Sequence, residues 1–332
     1  MNPHPAASQQ RILFVYDRVL SSFMARDWSI LSRAWPNSEA FCWRGWRDAF
    51  RLGQKAAQSR LVFCWFGAAQ ALASVLVTAG RVPVIIVAGG WDVANLPEIR
   101  YGAHASFWRH HVSRFLFARA KRVLAVSEFT RGEALRHAGV DPEKLFTVYH
   151  GFDASVWAAG HGSRTLDVVT VSGSHAMVKG IDLVIDTAQR LTDLRFEVVG
   201  PRPGRELQQY LSDLPPNLTF TGPLSGEAYL AKLQSAKICF QPSRQESFGC
   251  AVAEAMLCGC IPVVSNRGAL PEVLGAVGWK VDRMLPQEFE RAIRAAVAAT
   301  DDDRLLVRRR IAEAFAMDTY AHRLTTLVRE VL

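Results

Sequence analysis

Residues 237–274 have the sequence KICFQPSRQESFGCAVAEAMLCGCIPVVSNRGALPEVL, and this stretch decides the fold. Its apolar runs at 238–242 and 261–265 are typical of buried strands, and the residues between them predict a polar loop followed by a helix. Gly259 stands where a helix ending near Cys258 needs a residue that accepts a left-handed conformation. The stretch therefore predicts one strand-helix-strand unit of a parallel sheet.

The same alternation of strands and helices continues along the chain. Apolar runs typical of strands lie at 11–17, 39–43, 61–66, 82–87, 122–126, 166–172, 196–200 and 218–222. Residues 61–80 carry no charge, but they divide into a strand and a helix and are not expected to span a membrane. Alternation of this kind predicts an α/β fold with doubly wound parallel sheets, and 332 residues are enough for two cores.

The junction of loop and helix at 246–249, ESFG, suggests a binding site. The first N–H groups of a helix have no intrahelical acceptors, so those of residues 248–250 are expected to face an anion. Glu254 is expected in the second turn, roughly 80° further round an ideal helix than Glu246. Carboxylates repel phosphate but accept hydrogen bonds from hydroxyls, so the site suits a diphosphate between two polyols, as in a nucleotide sugar.

The carboxylate pair lies within PSRQESFGCAVAEAMLCGCIPVV, residues 242–264, which resembles the signature of the retaining glycosyltransferases of family 4. Other blocks follow in the order expected of that family: LVFCWFGAAQALASVLV, VIIVAGGWDVANLPEIRYG, AKRVLAVSEFTRGEALRHAGVDPEKLFTVYHGFD and the Lys179-Gly180 step. The resemblance implies the GT-B fold, in which two Rossmann-like doubly wound domains face each other across a cleft.

Three segments are expected from this resemblance. An N-terminal Rossmann-like acceptor domain would comprise residues 1–155, and a C-terminal Rossmann-like nucleotide-sugar domain would comprise residues 156–314. The boundary falls near 153–164, where Ala, Gly and Ser accumulate. Residues 315–332 are similar to the terminal helix that returns to the N-terminal domain in GT-B enzymes.

The resemblance assigns catalytic roles to two residues, and position in the chain suggests a third. Lys179 would neutralise the diphosphate that leaves, and Glu246 would accept hydrogen bonds from donor-sugar hydroxyls. Asp92, at a strand end, either contacts donor or acceptor or caps a turn. A classical catalytic base is not expected, because retaining transfer in this family is viewed as front-face displacement in which the leaving phosphate takes the acceptor proton.

Donor binding would use backbone amides and one further carboxylate. Glu254 would accept from the ribose, and the N–H groups of Phe248, Gly249 and Cys250 would bind sugar or phosphate oxygens without a metal ion. No cofactor is expected beyond the nucleotide diphosphate sugar that serves as the donor. The residues assigned to donor binding are Gly173, Ser174, Ser247, Phe248, Gly249, Cys250 and Glu254.

Two positions depart from the family pattern. Most members carry an arginine five residues before the lysine as a second diphosphate cation, and here that position is Ser174. Either another basic residue replaces it, with His175 the nearest and Arg244 or Arg267 more distant, or leaving-group stabilisation is weak. The first strand-helix turn, YDRVLSSF at 16–23, also lacks the glycine-rich loop of many members.

Positive charge is concentrated in the first half of the chain. Residues 1–150 hold 19 Lys and Arg against 10 Asp and Glu, a balance of +9, and the remainder holds 20 against 21. The basic, aromatic stretches 41–60 and 101–127 suit an anionic membrane surface, with ordinary packed helices as the alternative. No motif supports binding to nucleic acid.

The cysteines and the N-terminus indicate the compartment. The six cysteines form no C-x-x-C pair, and most lie within apolar runs, which favours reduced core thiols over disulfides or a zinc site. The first ten residues lack the apolar core of a signal peptide. The expected location is cytoplasmic, with peripheral attachment to the inner face of the membrane.

The sequence therefore predicts a metal-independent, retaining hexosyltransferase that uses a nucleotide diphosphate sugar and a glycan or lipid-linked acceptor in cell-envelope polysaccharide biosynthesis. The alternative is a catalytically silent GT-B protein that binds a nucleotide sugar or a membrane as a partner subunit. Ser174 favours the alternative, whereas Lys179, Glu246 and Glu254 favour the enzyme.

Overall fold

The computed structural model describes residues 10–160, 162–173, 175–204 and 207–332. The chain forms two compact units, one comprising residues up to 151 together with 318–332, and the other comprising residues 152–317. The boundaries expected from the sequence were at 155 and 314.

The first unit is built on a six-stranded parallel sheet with the order β2-β1-β3-β4-β5-β6. Its strands are β1 (Ile12–Asp17), β2 (Glu39–Trp43), β3 (Leu61–Trp65), β4 (Val84–Ala88), β5 (Arg122–Ala125) and β6 (Leu145–Thr147). Its helices are α1 (Ser22–Ala34), α2 (Ala49–Ala57), α3 (Ala69–Thr78), α4 (Phe107–Arg119) and α5 (Glu128–Glu133), joined by α14 (Met317–Arg329) from the end of the chain.

The second unit has its own six-stranded parallel sheet, with the order β12-β11-β10-β7-β8-β9. Its strands are β7 (Leu166–Val171), β8 (Phe196–Val199), β9 (Leu218–Gly222), β10 (Ala236–Gln241), β11 (Ile261–Ser265) and β12 (Trp279–Val281). Its helices are α6 (Ala176–Lys179), α7 (Ile181–Arg190), α8 (Gln208–Leu211), α9 (Gly226–Ser235), α10 (Cys250–Leu257), α11 (Leu270–Leu274), α12 (Pro286–Val297) and α13 (Asp301–Ala314).

The predicted α/β fold with parallel sheets is confirmed, and the reason lies in the continuous apolar strands. Every residue of β3, β4 and β11 is buried, as expected where helices cover both faces of a parallel sheet. The segment 61–80 forms β3 and α3, as predicted from its sequence. No helix in the described part of the chain is both long enough and apolar enough to cross a bilayer.

Ser127 caps the N-terminus of α5. The Ser127 side chain accepts a hydrogen bond from the Thr130 amide at 3.0 Å, and Ser127 is fully buried. Because the cap satisfies an amide that would otherwise have no acceptor, we expect Ser127→Ala to lower the free energy of unfolding by about 1–2 kcal/mol in urea titrations. Ser225 occupies the same position before α9 without a side-chain cap bond. Ser225→Ala is the matched control, and an equal loss in both variants would refute the capping role.

Candidate functional site

The candidate site of the second unit lies at the carboxyl ends of β7 and β10, which are neighbours in the middle of the sheet. From β7 the chain proceeds outward through β8 and β9, and it then returns to place β10 on the opposite side of β7. Strand order therefore reverses between β7 and β10. Ligands of open α/β sheets bind at such a switch point, in the crevice beyond the strand ends.

Lys179 and Glu246 meet at this place. The Lys179 ammonium lies 2.6 Å from Oε2 of Glu246, and both side chains are largely buried. Ser243 donates a second hydrogen bond to the same oxygen at 3.3 Å. Among the described residues both contacts of this carboxylate go to Oε2, so Oε1 and two of the three ammonium protons are available to a ligand.

Arg244 fixes the loop that carries Glu246. Its guanidinium makes two hydrogen bonds to the Asp182 carboxylate, at 2.8 and 2.6 Å, and one to the Met177 carbonyl. Its amide donates to the Val178 carbonyl at 2.7 Å. The hydrogen bonds that Arg244 donates to the Asp182 carboxylate raise the pKa of Arg244. Arg244 thus positions the loop against α6 and α7. Fewer of its N–H groups remain for the diphosphate-binding role considered from the sequence.

A close approach of the following loop fixes the backbone at Glu246. The Ala269 amide donates to the Glu246 carbonyl at 2.8 Å. Gly268 has a φ of +61°, and a Cβ atom there would lie 2.3 Å from that carbonyl oxygen. Only glycine combines this conformation with this proximity.

The start of α10 differs from the sequence prediction. Gly249, with a φ of 102°, precedes the helix, which begins at Cys250. Glu246 therefore lies in the loop, and its expected position 80° from Glu254 on a common helix was wrong. The Phe248 side chain is buried against the rings of Phe152 and Phe315, at centroid distances of 5.9 and 5.2 Å. Only the backbone of Phe248 can therefore serve a ligand.

Glu254 is buried in α10 and accepts a hydrogen bond from the Tyr229 hydroxyl at 3.0 Å. Tyr229 comes from α9, and its ring lies edge-on to Trp157 at 5.8 Å. Burial, followed by the negative charge of Glu254, raises the pKa of Tyr229, so the phenol stays protonated and donates. The sequence did not indicate Tyr229, because no motif links it to a carboxylate 25 residues away.

The other residues considered for the donor site lie in the loops after β7, β10 and β11. Ser174 falls outside the described residues, whereas Gly173 is exposed and a Cβ atom there would meet open space. His175 has a left-handed φ of 68° and precedes α6. Arg267 donates to the Asp282 carbonyl at 3.4 Å. The predicted roles of Gly173, Ser174 and Ser247 stay predictions.

Asp92 belongs to the first unit and is completely buried. Its two carboxylate oxygens accept hydrogen bonds from the amides of Gly67, at 2.7 Å, and Gly90, at 2.9 Å. Burial raises the pKa of Asp92, and these amides oppose the rise. The geometry matches the turn-capping alternative, in which Asp92 ties together the loops after β3 and β4. Its contact with donor or acceptor stays a prediction.

The sequence predicted reduced cysteines rather than disulfides or a zinc site. All six cysteines are free thiols, and four of them are buried. Within the described ranges, no group of three or more His, Cys, Asp or Glu side chains is arranged to hold a metal ion. Transfer without a metal ion stays a prediction.

Two family models match the two halves of the chain. Residues 11–156 match the model described as Glycosyltransferase Family 4, and residues 166–299 match the model described as Glycosyl transferases group 1. Together they cover both sheets.

Curated relatives are similar at low identity. The chain is 27% identical over 214 residues to the MMP alpha-(1->4)-mannosyltransferase of Mycolicibacterium hassiacum, a match covering 60% of this chain and 51% of the relative. It is 27% identical over 222 residues to the D-inositol 3-phosphate glycosyltransferase of Segniliparus rotundus, covering 60% and 49%. The chain thus spans about half the length of the curated relatives it matches.

Solved structures share the fold over nearly the whole chain. Anabaena HepE in complex with UDP and glucose superposes with a TM-score of 0.79 and 18% identity, covering 97% of this chain and 100% of HepE. Sucrose-phosphate synthase from Thermosynechococcus elongatus has a TM-score of 0.74 and 15% identity, covering 97% and 99%. At these identities the likeness concerns the fold alone.

Proposed function

Because this chain belongs to the group 1 glycosyltransferases of family 4, with their GT-B fold, we propose that it transfers a hexose-type sugar from a nucleotide diphosphate sugar to a hydroxyl group of a glycan or lipid-linked acceptor. The transfer retains the anomeric configuration and requires no metal ion. The names of the relatives, a mannosyltransferase and an inositol phosphate glycosyltransferase, support a glycosyl donor, and the UDP and glucose of the HepE complex support a nucleotide sugar.

The observation that carries the proposal is the Lys179–Glu246 pair at 2.6 Å beside the start of α10. A cation and a carboxylate held this close can bind one ligand through two different groups, an anionic group and a hydroxyl group. The Lys179 ammonium suits a diphosphate, Oε1 of Glu246 suits a sugar hydroxyl, and the first amides of α10 suit anionic oxygens. A nucleotide diphosphate sugar has these groups in one molecule.

In the proposed reaction the bond between the sugar C1 and the diphosphate oxygen breaks while C1 bonds to the acceptor oxygen on the same face. The acceptor proton passes to the departing diphosphate, so no protein base is needed. Lys179 stabilises the charge that develops on the leaving group, which is the electrostatic form of catalysis. Glu246 orients the sugar, and Glu254 holds the ribose.

We place the acceptor in cell-envelope polysaccharide synthesis and the protein in the cytoplasm, peripherally bound to the inner face of the membrane. A lipid-linked acceptor presents its hydroxyl at that surface, so an enzyme bound there encounters its acceptor by diffusion in the plane of the membrane. The concentration of positive charge in residues 1–150 supports this location, because the inner leaflet is anionic.

The test is thermal stabilisation by a panel of nucleoside diphosphates and nucleotide sugars. A ligand at about 100 times its dissociation constant adds about 2.7 kcal/mol to the folded state, which raises the melting temperature measurably. We expect one nucleotide family to stabilise the parent. Glu254→Gln and Tyr229→Phe should each weaken that binding by roughly tenfold, since the first replaces a charged acceptor by a neutral one and the second removes the hydroxyl that positions Glu254.

Glu313→Gln, an exposed substitution on α13, is the control and should respond like the parent. Absence of stabilisation by every donor would refute the assignment and favour the second candidate, a catalytically silent GT-B protein acting as a partner subunit. The observation in favour of that candidate is Ser174 at the position where most family members carry an arginine. Binding of a donor without turnover would also favour it.

A further inference from the structure

Helices α2, α3 and α4 form a continuous layer on one face of the first unit. α2 packs against α3, and α3 packs against α4. Their right-handed crossovers between parallel strands place all three on the same face of the sheet. None of the three helices contains an aspartate or glutamate, although together they contain five lysines and arginines: Arg51, Lys55, Arg109, Arg114 and Arg119.

The outward side of α4 is apolar and aromatic. Its buried side consists of Ser113, Leu116 and Phe117. On the solvent side Trp108, Val112 and Phe115 recur at intervals of four and three residues, and they therefore occupy one stripe about 60° wide. Trp108 is 77% exposed, and the neighbouring Phe107 is 70% exposed. An amphipathic helix on a sheet needs one apolar side, whereas α4 has two.

The neighbouring helices also carry exposed apolar residues. Leu76 on α3 is 52% exposed, and Phe50 on α2 is 76% exposed. Single exposed apolar residues are normal in soluble proteins, but the group of Phe107, Trp108, Val112 and Phe115 on one helix marks an interaction site. The basic aromatic surface is defined here as the outward side of this layer: Phe50, Arg51, Leu76, Phe107, Trp108, Arg109, Val112, Arg114, Phe115 and Arg119.

The cations of this surface lie beside its aromatic rings. The Arg119 guanidinium is 5.0 Å from the centre of the Phe115 ring, and that of Arg109 is 5.6 Å from the Trp91 ring. Arg114 lies over Gly139 and is exposed. The surface therefore presents aromatic groups and positive charge together, with no carboxylate on the three helices to oppose an anionic partner.

We propose that the basic aromatic surface binds the anionic lipid headgroups of a bilayer, with Trp108 and its apolar neighbours entering the interface. Helices lie at a bilayer surface in this way when they present large apolar groups beside Lys and Arg. Each basic residue near an anionic leaflet adds favourable energy. Tryptophan is favoured at the boundary between headgroups and acyl chains, because its ring is both apolar and polar.

The inference deepens the proposed membrane location by naming the surface responsible, and it does not depend on the transfer reaction. Vesicle binding can succeed with a catalytically silent protein, and transfer to a water-soluble acceptor can succeed without vesicle binding. The two proposals therefore fail separately.

The experiment is flotation of the full chain with vesicles of phosphatidylcholine alone or of phosphatidylcholine with phosphatidylglycerol, at low and high salt. We expect binding to the anionic vesicles only, decreasing as salt rises. Trp108→Ser should reduce the partition coefficient about tenfold or more, because an exposed indole contributes the apolar part of the binding. Arg109→Gln should reduce it about fivefold.

Matched controls are present in the second unit. Leu306→Ser removes an exposed apolar side chain from α13, and Arg309→Gln removes an exposed cation from the same helix. Both should bind anionic vesicles like the parent. Because Trp108 is exposed, its substitution should leave the circular dichroism spectrum and melting temperature unchanged.

Three outcomes would overturn the proposal. The first is no binding to anionic vesicles, and the second is binding that Trp108→Ser and Leu306→Ser reduce equally. The third is a parent dimer in light scattering that Trp108→Ser converts to a monomer, which would assign the surface to a second copy of the chain.

Discussion

Lys179→Met is expected to lower kcat by roughly 100- to 1000-fold with the donor that the binding panel identifies. The Lys179 ammonium is the cation at the proposed diphosphate position, and electrostatic groups that meet charge developing in the transition state contribute effects of about this size. Methionine keeps most of the side-chain volume, so the loss measures the charge. Initial rates at saturating donor and acceptor give kcat directly.

The matched control for this variant is Lys237→Met. Lys237 forms an ion pair with Asp167 at 2.8 Å at the opposite, amino ends of β10 and β7, far from the proposed site along both strands. It should retain the rate of the parent. A Lys179→Met enzyme that keeps its rate within about threefold would refute the leaving-group role.

A double variant separates two functions of Lys179. If the lysine serves only to neutralise Glu246, Lys179→Met combined with Glu246→Gln should recover much of the parent rate, because no uncompensated carboxylate then remains. If Lys179 acts on the leaving diphosphate, the double variant should be at least as slow as Lys179→Met. We expect the second result.

Asp27→Asn is expected to remove a large part of the pH dependence of stability in the first unit. Asp27 is only 2% exposed, and it accepts hydrogen bonds from the Trp65 indole, at 2.9 Å, and from the Tyr320 hydroxyl. Burial raises the pKa of Asp27 to about 7, and these hydrogen bonds oppose the rise. Tyr320 belongs to α14, so the carboxyl group joins α1 and β3 to the terminal helix.

The direction of the pH dependence of stability follows from the raised pKa of Asp27. The folded chain holds the Asp27 proton up to about pH 7, whereas the unfolded chain releases it near 3.8, so stability is lost as pH rises between these values. The full difference is about 4 kcal/mol, and more than half of it falls between about pH 5 and about pH 8. The asparagine amide has a donor group and an acceptor oxygen, as a protonated carboxyl group does, but it does not titrate. Asp27→Asn should therefore lack this pH dependence.

Urea unfolding of parent and variant across that range measures the effect. Asp318→Asn, an exposed substitution on α14, the helix of Tyr320, is the control and should follow the parent. His150 stacks on Trp65, and burial lowers its pKa to about 3. Its contribution is common to parent and variant and cancels in their difference. Parallel pH profiles for parent and Asp27→Asn would contradict the prediction.

Elements fixed by local chemistry could be predicted from the sequence. β2, β9 and β11 have the predicted bounds, because each is a short run rich in aromatic, β-branched or other apolar residues between turn signals. The cap at Ser127 and the left-handed Gly259 after α10 also depend only on neighbouring residues. The general position of Glu246 near a helix start follows from the same kind of local pattern.

Features that depend on distant partners could not be predicted. The loop around Glu246 is held by Arg244 and Asp182, which are 62 residues apart, and no periodicity indicates such a pair. The Tyr229–Glu254 hydrogen bond has the same origin. Residues 275–314, with β12, α12 and α13, were not interpreted from the sequence. His175 adopts a left-handed conformation without being glycine, so its identity gave no signal.

The first unit is assembled from two segments that are far apart in the chain, residues up to 151 and residues 318–332. The hydrogen bond from Tyr320 to the buried Asp27 therefore cannot form until the ribosome has added 293 further residues. The second unit, by contrast, consists of the uninterrupted segment 152–317. During synthesis the second unit can thus complete its core before the first, and the nascent first unit exposes the side that α14 covers until residues 318–332 have been made. Chaperones that bind apolar surface have that interval in which to act.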